Sequence, residues 1–270
     1  MPELPEVETT CRGIQAILHG NTINRIIIRN HRLRWPIPPI IKKLKNLKVL
    51  KISRRAKYIL LETSKGCFII HLGMSGRLKV VAQNEAIRKH DHVDFILANE
   101  KILRYTDPRR FGAILWTSDA PLNHPLFAKL GPEPFAKEFN EKYLFAKANK
   151  KKITIKQLIM DQTTVVGVGN IYACEALFVA KLLPTRLSSS LTLDECKQLI
   201  LAIQKILKQA IKAGGTTLKD FLSIEGNPGY FLQKLLVYGR ENKQCVMCNT
   251  LLKNIRINQR ATVFCENCQH

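Results

Sequence analysis

The feature of this sequence that most limits its possible folds is a pair of CxxC motifs near the end of the chain. Cys245 and Cys248 are separated from Cys265 and Cys268 by 16 residues. Four thiolates complete the tetrahedral shell of a zinc ion, and the residues between the two pairs can form a β-hairpin. A four-cysteine shell leaves no position for water, so we expect one structural, non-catalytic Zn²⁺ at these four residues.

The remaining cysteines are isolated along the chain, at Cys11, Cys67, Cys174 and Cys196. This split favours a reducing compartment with one metal site over a disulfide framework. The start, "MPELPEVE", is acidic where a signal peptide needs a basic segment and then an apolar one, and Lys or Arg interrupts every long apolar run. We therefore expect a cytoplasmic protein without a membrane partner, and we expect it to be a monomer.

The charge balance indicates a polyanionic partner. Lys and Arg number 43 against 21 Asp and Glu, which gives a formal net charge of +22. Such an imbalance favours nucleic acid, while an anionic membrane surface or simple solubility remain alternatives.

The first part of the chain predicts a β-sandwich domain over residues 1–130. Apolar residues from Val7 to Leu18 fall roughly on one face of an N-terminal helix, which Pro5 can begin and Gly20 can end. Short β-branched runs follow, often separated by turn residues, in "INRIIIRN", "KVLKISRRAKYILLE", "CFIIHLG", "HVDFIL", "KILRYTD" and "GAILWT". Many short strands at this spacing are typical of a sandwich.

The later part of the chain predicts helices. Pro and Gly density around "NHPLFAKLGPEPF" indicates an interdomain linker over 131–150, before a helical domain over 151–235 and a zinc hairpin over 236–270. Apolar residues from Leu199 to Ile211 recur at helical spacing, and "AGG" ends that helix. The predicted fold class is α+β. The turn-rich "TTLKDFLSIEGNPGY" is either a partly mobile loop or an ordinary surface connection.

Two segments of the strand-rich part carry side chains that are unusual in exposed connections. "HLGMSG" places Met74 among turn residues, and "DPRRFG" brings Arg109 and Phe111 together after a proline. Met and Phe on loops can enter an apolar space such as a DNA base step, although burial in the protein's own core explains them equally well.

Other residues could contact phosphate. "VVGVGN" ends at Asn170 and can place backbone amides at a helix start, although a plain packing turn is the alternative. Arg260, in the loop between the cysteine pairs, can reach a phosphate or remain solvated. Lys57 in "RRAKYIL" can be drawn into a cleft or lie on a solvated strand. His90 and His92 suit a phosphate contact or a structural hydrogen bond better than a metal site.

These motifs in this order resemble the formamidopyrimidine-DNA glycosylases over essentially the whole chain. The resemblance is carried by "PELPEVE", "RRAKY", "HLGMSG", "KHDHVD", "RYTDPRRFG", "LGPEP", "VVGVGNIYA", "GGTTLKDF", "GYF", "VYGR" and the four cysteines. It implies an N-terminal β-sandwich with its helix, a helix-two-turn-helix domain and a zinc β-hairpin, with damaged double-stranded DNA across the cleft between domains. The implied activity is excision of oxidised purines, followed by β,δ-elimination at the abasic site.

The same resemblance implies the catalytic residues. The nucleophile is the amine of Pro2 after removal of Met1, and an α-amine, with a reference pKa of about 8, is more often neutral near pH 7 than a lysine. Glu3 is the general acid, and Glu6 is the second carboxylate beside the amine. Lys57 and Arg260 are assigned to the successive eliminations. Since the pKa of an arginine exceeds about 12, we expect Arg260 mainly to hold phosphate.

The resemblance also implies the DNA contacts. The target base must leave the helical stack, and Met74, Arg109 and Phe111 fill the gap that it leaves. The residues implied at backbone phosphates are His90, Lys151, Lys156 and Asn170. The loop from Thr216 to Tyr230 is implied to close over the extruded base.

Two alternatives remain from the sequence. One is an endonuclease VIII-like enzyme for oxidised pyrimidines, against which the leucine in "PELPEV" and the complete Met74, Arg109 and Phe111 set argue. The other is a non-catalytic DNA-binding zinc protein, against which an intact Pro2, Glu3 and Lys57 argue.

Overall fold

The computed structural model describes residues 2–216 and 231–270. It divides into two compact units, the first of Met1–Ala128 with Ala213–Tyr230 and the second of Lys129–Lys212 with Phe231–His270. Among the described residues, no helix is both long enough and apolar enough to cross a membrane.

The first unit begins with helix α1, Leu4–Leu18. Glu3 is its N-cap, Pro5 occupies its second position rather than the first, and Gly20 follows its end with a φ of 75°. Val7, Ile14 and the other apolar positions of α1 are buried, as their spacing predicted.

The eight strands of the first unit form one antiparallel sheet, which folds into a sandwich. Their bounds are β1 Thr22–Ile28, β2 Lys45–Arg55, β3 Tyr58–Thr63, β4 Gly66–His71, β5 Arg77–Ala82, β6 Asp91–Leu97, β7 Lys101–Thr106 and β8 Ala113–Thr117. The strand order is β5-β7-β6-β1-β2-β3-β4-β8. One core joins the two halves, since Phe68 of β4 lies 5.2 Å from Phe95 of β6 between ring centroids. The predicted N-terminal sandwich is confirmed.

Strand β5 was not among the predicted strands. It lies at the edge of the sheet, where Leu78 is buried while Arg77 and Lys79 on the other face are half exposed. Its two cations dilute the apolar pattern by which a strand is recognised.

The second unit is helical, with α2 Glu141–Asn149, α3 Ile155–Met160, α4 Asn170–Val179 and α5 Leu193–Lys212. Helix α2 falls inside 131–150, where we predicted a linker. Asn140 caps it by accepting from the Tyr143 N–H at 3.0 Å, and Leu144 and Ala148 bury its narrow apolar face. Two apolar positions four residues apart among charged neighbours give too weak a pattern to stand out from the surrounding Pro and Gly.

Short elements complete the chain. Single turns of 3₁₀ helix occupy Pro39–Lys43, Pro121–Asn123, Pro125–Phe127, Ser188–Ser190 and Phe231–Lys234. The final hairpin pairs β9, Lys253–Ile257, with β10, Arg260–Phe264. The two residues of its turn, Asn258 and Gln259, both have positive φ angles, as a tight hairpin with the sheet's natural twist requires.

Candidate active site and nucleic-acid interface

Two buried carboxylates lie at the start of α1. Glu3 is 3% exposed and Glu6 is 2% exposed, and Pro2 beside them is also buried. One oxygen of Glu6, Oε2, accepts from the Glu3 N–H at 2.8 Å and closes the capping box. Burial here is the reverse of the fraying usual at a chain end. The sequence-predicted catalytic residues at this terminus are therefore held in one arrangement.

The other oxygen of Glu6 fixes the segment that follows α5. Oε1 accepts from the Thr216 N–H at 2.8 Å and from Thr216 Oγ1 at 2.9 Å. Gly215 precedes this contact with a φ of +84°, and a Cβ there would lie 3.0 Å from the same oxygen. Glu6 thus joins the helix start to the first residue of the predicted base-capping loop. The rest of that loop, from 217 to 230, lies outside the described residues.

Lys57 lies in the two-residue turn between β2 and β3. The turn holds Ala56 at a φ of 53°, a conformation that costs about 1 kcal/mol for a residue other than glycine. Arg54 secures it, because its Nη1 donates to the Ala56 carbonyl at 2.8 Å and its Nε donates to Glu8 on α1 at 3.2 Å. Lys57 is only 8% exposed. It is therefore not a solvated strand lysine, and its turn is tied to the helix that carries Glu3.

His71, at the end of β4, is a site residue that the sequence did not indicate. Its Nδ1 accepts from the Gly73 N–H at 3.0 Å, and its ring centroid lies 4.8 Å from that of Tyr58. Burial, together with the positive charges of Arg34 and Lys57, lowers the pKa of His71 to about 4. The imidazole is therefore neutral near pH 7.

Asp107 organises the two loops that carry the predicted gap-filling residues. It is fully buried; its Oδ1 accepts from Ser75 Oγ at 2.7 Å, and its Oδ2 accepts from the Gly112 N–H at 2.8 Å. Its carbonyl lies 2.8 Å from Nε2 of the buried His92. One carboxylate therefore connects "HLGMSG" with "DPRRFG". No periodicity marks such a residue, although its place before a proline and two arginines suggests a turn.

The two loops also pack backbone against backbone. A Cβ at Gly73, whose φ is +63°, would lie 2.4 Å from backbone atoms of Phe111 and Gly112. The Arg109 guanidinium stacks over the Phe111 ring at 4.7 Å from its centroid. Phe111 is 46% exposed, so the alternative that it fills the protein's own core is wrong. Met74, Arg109 and Phe111 thus lie on one connected pair of loops.

His90 and His92 have different environments. His92 is buried, and its Nε2 bonds to the Asp107 carbonyl. His90 is half buried, and its backbone carbonyl accepts from the Asp107 N–H at 3.1 Å. The imidazole of His90 is the one on the surface.

In the second unit, a fully buried lysine contacts the strand that begins at Arg260. Lys156 Nζ donates to Thr262 Oγ1 at 2.7 Å and to the Ala261 carbonyl at 3.1 Å, and Asn170 Nδ2 donates to the same carbonyl at 2.9 Å. Thr262, which is 0% exposed, passes its own hydroxyl hydrogen to the Arg260 carbonyl at 3.1 Å.

These bonds fix the backbone of Arg260 while its side chain remains exposed. Lys156 and Arg260 also line one open cavity of about 620 Å³. The resemblance implies a phosphate contact for Lys156, and the described bonds of its ammonium run to the zinc hairpin. Thr262 gave no sequence signal, because its role depends on a partner more than a hundred positions away.

Lys151 is held by an acidic partner. Its ammonium pairs with Asp161 and also donates to Thr164 Oγ1 at 3.2 Å. Although burial acts in the opposite direction, the bonds from Lys151 and Thr163 lower the pKa of Asp161. A phosphate at Lys151 would share this ammonium with Asp161.

The four predicted zinc ligands come together. Among the described residues, the only group of three or more side chains arranged to hold a metal is the set of four cysteines, whose Sγ atoms all lie within 4.8 Å of one another. Cys245 and Cys268 are 3.9 Å apart and Cys248 and Cys265 are 3.5 Å apart. Zinc–sulfur bonds of about 2.3 Å place the corners of a tetrahedron about 3.8 Å apart, so the donor set fits zinc.

The thiols of this cluster also show the need for a cation. Hydrogen bonds from Thr250 and Asn267 lower the pKa of Cys248 to about 5. Burial and the neighbouring thiols raise the pKa of Cys268 to about 12. Four thiols this close cannot all ionise without a cation among them.

Comparison with known proteins assigns both units. Residues 1–114 match the model of the formamidopyrimidine-DNA glycosylase N-terminal domain, and residues 130–222 match that of the formamidopyrimidine-DNA glycosylase H2TH domain. A formamidopyrimidine-DNA glycosylase of Hydrogenovibrio crunogenus is 55% identical over all of this chain and 96% of its own length. One from Escherichia coli O7:K1 is 53% identical, and the alignment covers 100% of both chains.

Two solved structures superpose on this chain over nearly its whole length. A Lactococcus lactis FPG mutant in complex with Fapy-dG-containing DNA superposes with a TM-score of 0.92 at 33% identity, covering 99% of both chains. MutM in complex with carbocyclic 8-oxo-G-containing DNA gives a TM-score of 0.91 at 33% identity, again over 99% of both chains.

Proposed function

This chain belongs to the formamidopyrimidine-DNA glycosylase family, and from that membership we propose that the buried start of α1 is its catalytic centre. Family membership establishes an enzyme of base-excision repair, with glycosylase and lyase activities toward oxidised purines in damaged duplex DNA. The observation that supports the location is the burial of Pro2, Glu3 and Glu6 around a single capping box.

In the proposed reaction, the neutral amine of Pro2 attacks C1′ of the damaged nucleotide. The bond from C1′ to the base breaks, and the base leaves with the electron pair and takes up the proton that the Pro2 nitrogen loses. Opening of the sugar gives an iminium ion between the Pro2 nitrogen and C1′, which acidifies the proton on C2′. Loss of that proton expels the 3′ phosphate, and a second elimination expels the 5′ phosphate, so strand cleavage follows excision.

Glu3 acts as the general acid of this sequence, donating a proton to the ring oxygen of the sugar as it opens. Glu6 holds the Glu3 backbone and orients the helix start. Lys57, buried in a turn tied to α1, serves the first elimination. Arg260 holds phosphate and stabilises the departing charge, a role that suits the planar, permanently charged side chain of arginine.

Base extrusion is assigned to the paired loops organised by Asp107. Met74 and Phe111 insert into the space that the extruded nucleotide leaves, and Arg109 faces the base left unpaired. An exposed phenylalanine beneath an arginine, on loops fixed by a buried carboxylate, suits a wedge that must not deform when it enters stacked bases.

Backbone phosphates are assigned to His90, Lys151 and Asn170, together with Arg260. Lys156 contributes by a different route, because its ammonium binds the Ala261 and Thr262 region and so presents the hairpin that carries Arg260. One Zn²⁺ on the four cysteines would hold that hairpin together and would take no part in the chemistry. We also place the enzyme in the cytoplasm, at the nucleoid.

The test is borohydride trapping on duplexes that carry 8-oxoguanine or an oxidised pyrimidine. The native protein is expected to form a covalent adduct, preferentially with 8-oxoguanine. Protein with one residue added ahead of Pro2 should bind lesion DNA but form no adduct, and the same residue added after His270 serves as the control. Normal trapping by the blocked protein would contradict the Pro2 assignment. Preference for the pyrimidine lesion would indicate an endonuclease VIII-like specificity.

A further inference from the structure

The outer face of the edge strand β5 carries an unusual row of cations. Arg77 and Lys79 point to the same face, since side chains alternate along a strand and Leu78 between them is buried. Across the sheet, Arg77 is opposite Thr106 and Lys79 is opposite Arg104 on β7. Like charges directly opposite each other on a sheet repel, so this row needs anions.

Two aspartates of this face, Asp91 and Asp94, are already engaged by Arg104. Its Nε donates to Asp94 Oδ1 at 2.9 Å, and its Nη1 lies 3.4 Å from Asp91 Oδ2. Asp91 also accepts from Thr106 Oγ1 at 2.6 Å and from the Arg88 N–H at 2.8 Å, while Asp94 pairs with a second arginine, Arg29. Both aspartates therefore already have partners, and Glu85 is the remaining carboxylate beside the other cations.

The other cations of this face lie outside the described ion pairs. Within residues 2–216 and 231–270, the cations Arg77, Lys79 and Arg88 take part in no ion pair, and the buried Nε of Arg77 has no acceptor. The three line a small cavity of about 70 Å³ together with Glu85, Asp91 and Arg104. Four cations and two carboxylates line this cavity, which gives it a formal charge of +2 and favours an oxyanion.

The cavity adjoins the loops assigned to DNA. Arg77 follows Met74 by three residues, its neighbour Thr106 immediately precedes Asp107, and Arg88 lies two residues before His90. We propose that this cavity, the Arg77 pocket, binds a phosphodiester of the DNA backbone. The proposal rests on the proposed function, because it extends the DNA contact along the first unit beyond His90.

The test compares a triple variant, Arg77→Gln, Lys79→Gln and Arg88→Gln, with a control of equal charge change. The control is Lys42→Gln, Lys43→Gln and Lys45→Gln, three exposed cations elsewhere in the first unit. Affinity for lesion DNA is measured from low to high salt. Loss of one phosphate contact should reduce the slope of log K against log[salt] by about 0.9 in the pocket variant, with a smaller change in the control.

The remaining measurements separate this proposal from its premise. Borohydride trapping at saturating DNA should be unchanged in the pocket variant, and loss of trapping by the native protein would instead contradict the proposed function. A salt slope equal to that of the control overturns the phosphodiester assignment. A rise in the melting temperature of DNA-free native protein with inorganic phosphate, absent from the pocket variant and accompanied by an unchanged slope, would assign the pocket to free phosphate and overturn it equally.

Discussion

Replacing Thr262 by valine tests whether the buried lysine and the zinc hairpin form one unit. Valine has nearly the shape of threonine, but it removes the hydroxyl that accepts from Lys156 Nζ and donates to the Arg260 carbonyl. A hydrogen bond to a charged group contributes about 1.5–3 kcal/mol and a neutral one about 1 kcal/mol. Since Lys156 keeps its bond to the Ala261 carbonyl, we expect the free energy of unfolding to fall by about 3 kcal/mol.

The assay is thermal unfolding at saturating zinc, together with excision and strand cleavage measured separately. A loss of this size corresponds to a fall in melting temperature of roughly 6–12 °C for a chain of this class. Strand cleavage should fall more than excision in Thr262→Val, because the hairpin carries Arg260. Thr262→Ser keeps the hydroxyl and should recover most of both losses. A valine variant as stable as the native protein, or a serine variant no better than valine, would refute the reasoning.

Four other perturbations have definite expected outcomes. Glu6→Ala removes the acceptor of three hydrogen bonds, so the free energy of unfolding should fall by about 3 kcal/mol and the yield of borohydride trapping should fall with it. Glu6→Gln keeps one carbonyl acceptor and should retain part of both. Equal behaviour of the two variants would contradict the bonding described. The pKa of His71 is about 4 in the folded protein against 6.5 when unfolded, so the unfolded chain binds the extra proton first and the folded state loses roughly 3 kcal/mol as pH falls from about 6.5 to 4. His71→Asn should remove that part of the pH dependence in denaturant titrations, and an unchanged profile would disprove it. Gly73→Ala should destabilise the fold by about 3 kcal/mol or more, because the added Cβ would collide with the backbone of the facing loop. Gly20 also has a positive φ but has open space around it, so Gly20→Ala should cost only about 1 kcal/mol. Similar losses in the two variants would argue against close packing of the loops. Chelation of zinc should lower both the melting temperature and DNA affinity, and a metal-free protein with full affinity would exclude a supporting role for the hairpin.

The sequence predicts elements whose signal lies within their own residues. The apolar spacing of α1 and α5, the alternating strands and the spacing of the cysteines all depend on neighbours along the chain, and the structure shows each of them. The edge strand β5 and the short helix α2 were missed, because their apolar faces are narrow and their charged positions many.

The site was predictable to a smaller extent. Residues with distinctive chemistry on loops, such as Met74 and Phe111, stand out in the sequence. Asp107 and Thr262 do not, since an aspartate or a threonine gains its role only from the groups that folding places beside it. For the same reason the bonds from Lys156 to Ala261 and Thr262 could not be predicted from the sequence.

The single carboxylate at Asp107 has a consequence for the timing of damage recognition. Because it binds Ser75 on one loop and Gly112 on the other, neither loop can advance without its partner. In the proposed function, the two loops therefore insert into the double helix together and withdraw from it together. Under that function, we expect each base pair to be tested by insertion of both loops or of neither, and we expect movement along intact DNA to require withdrawal of both.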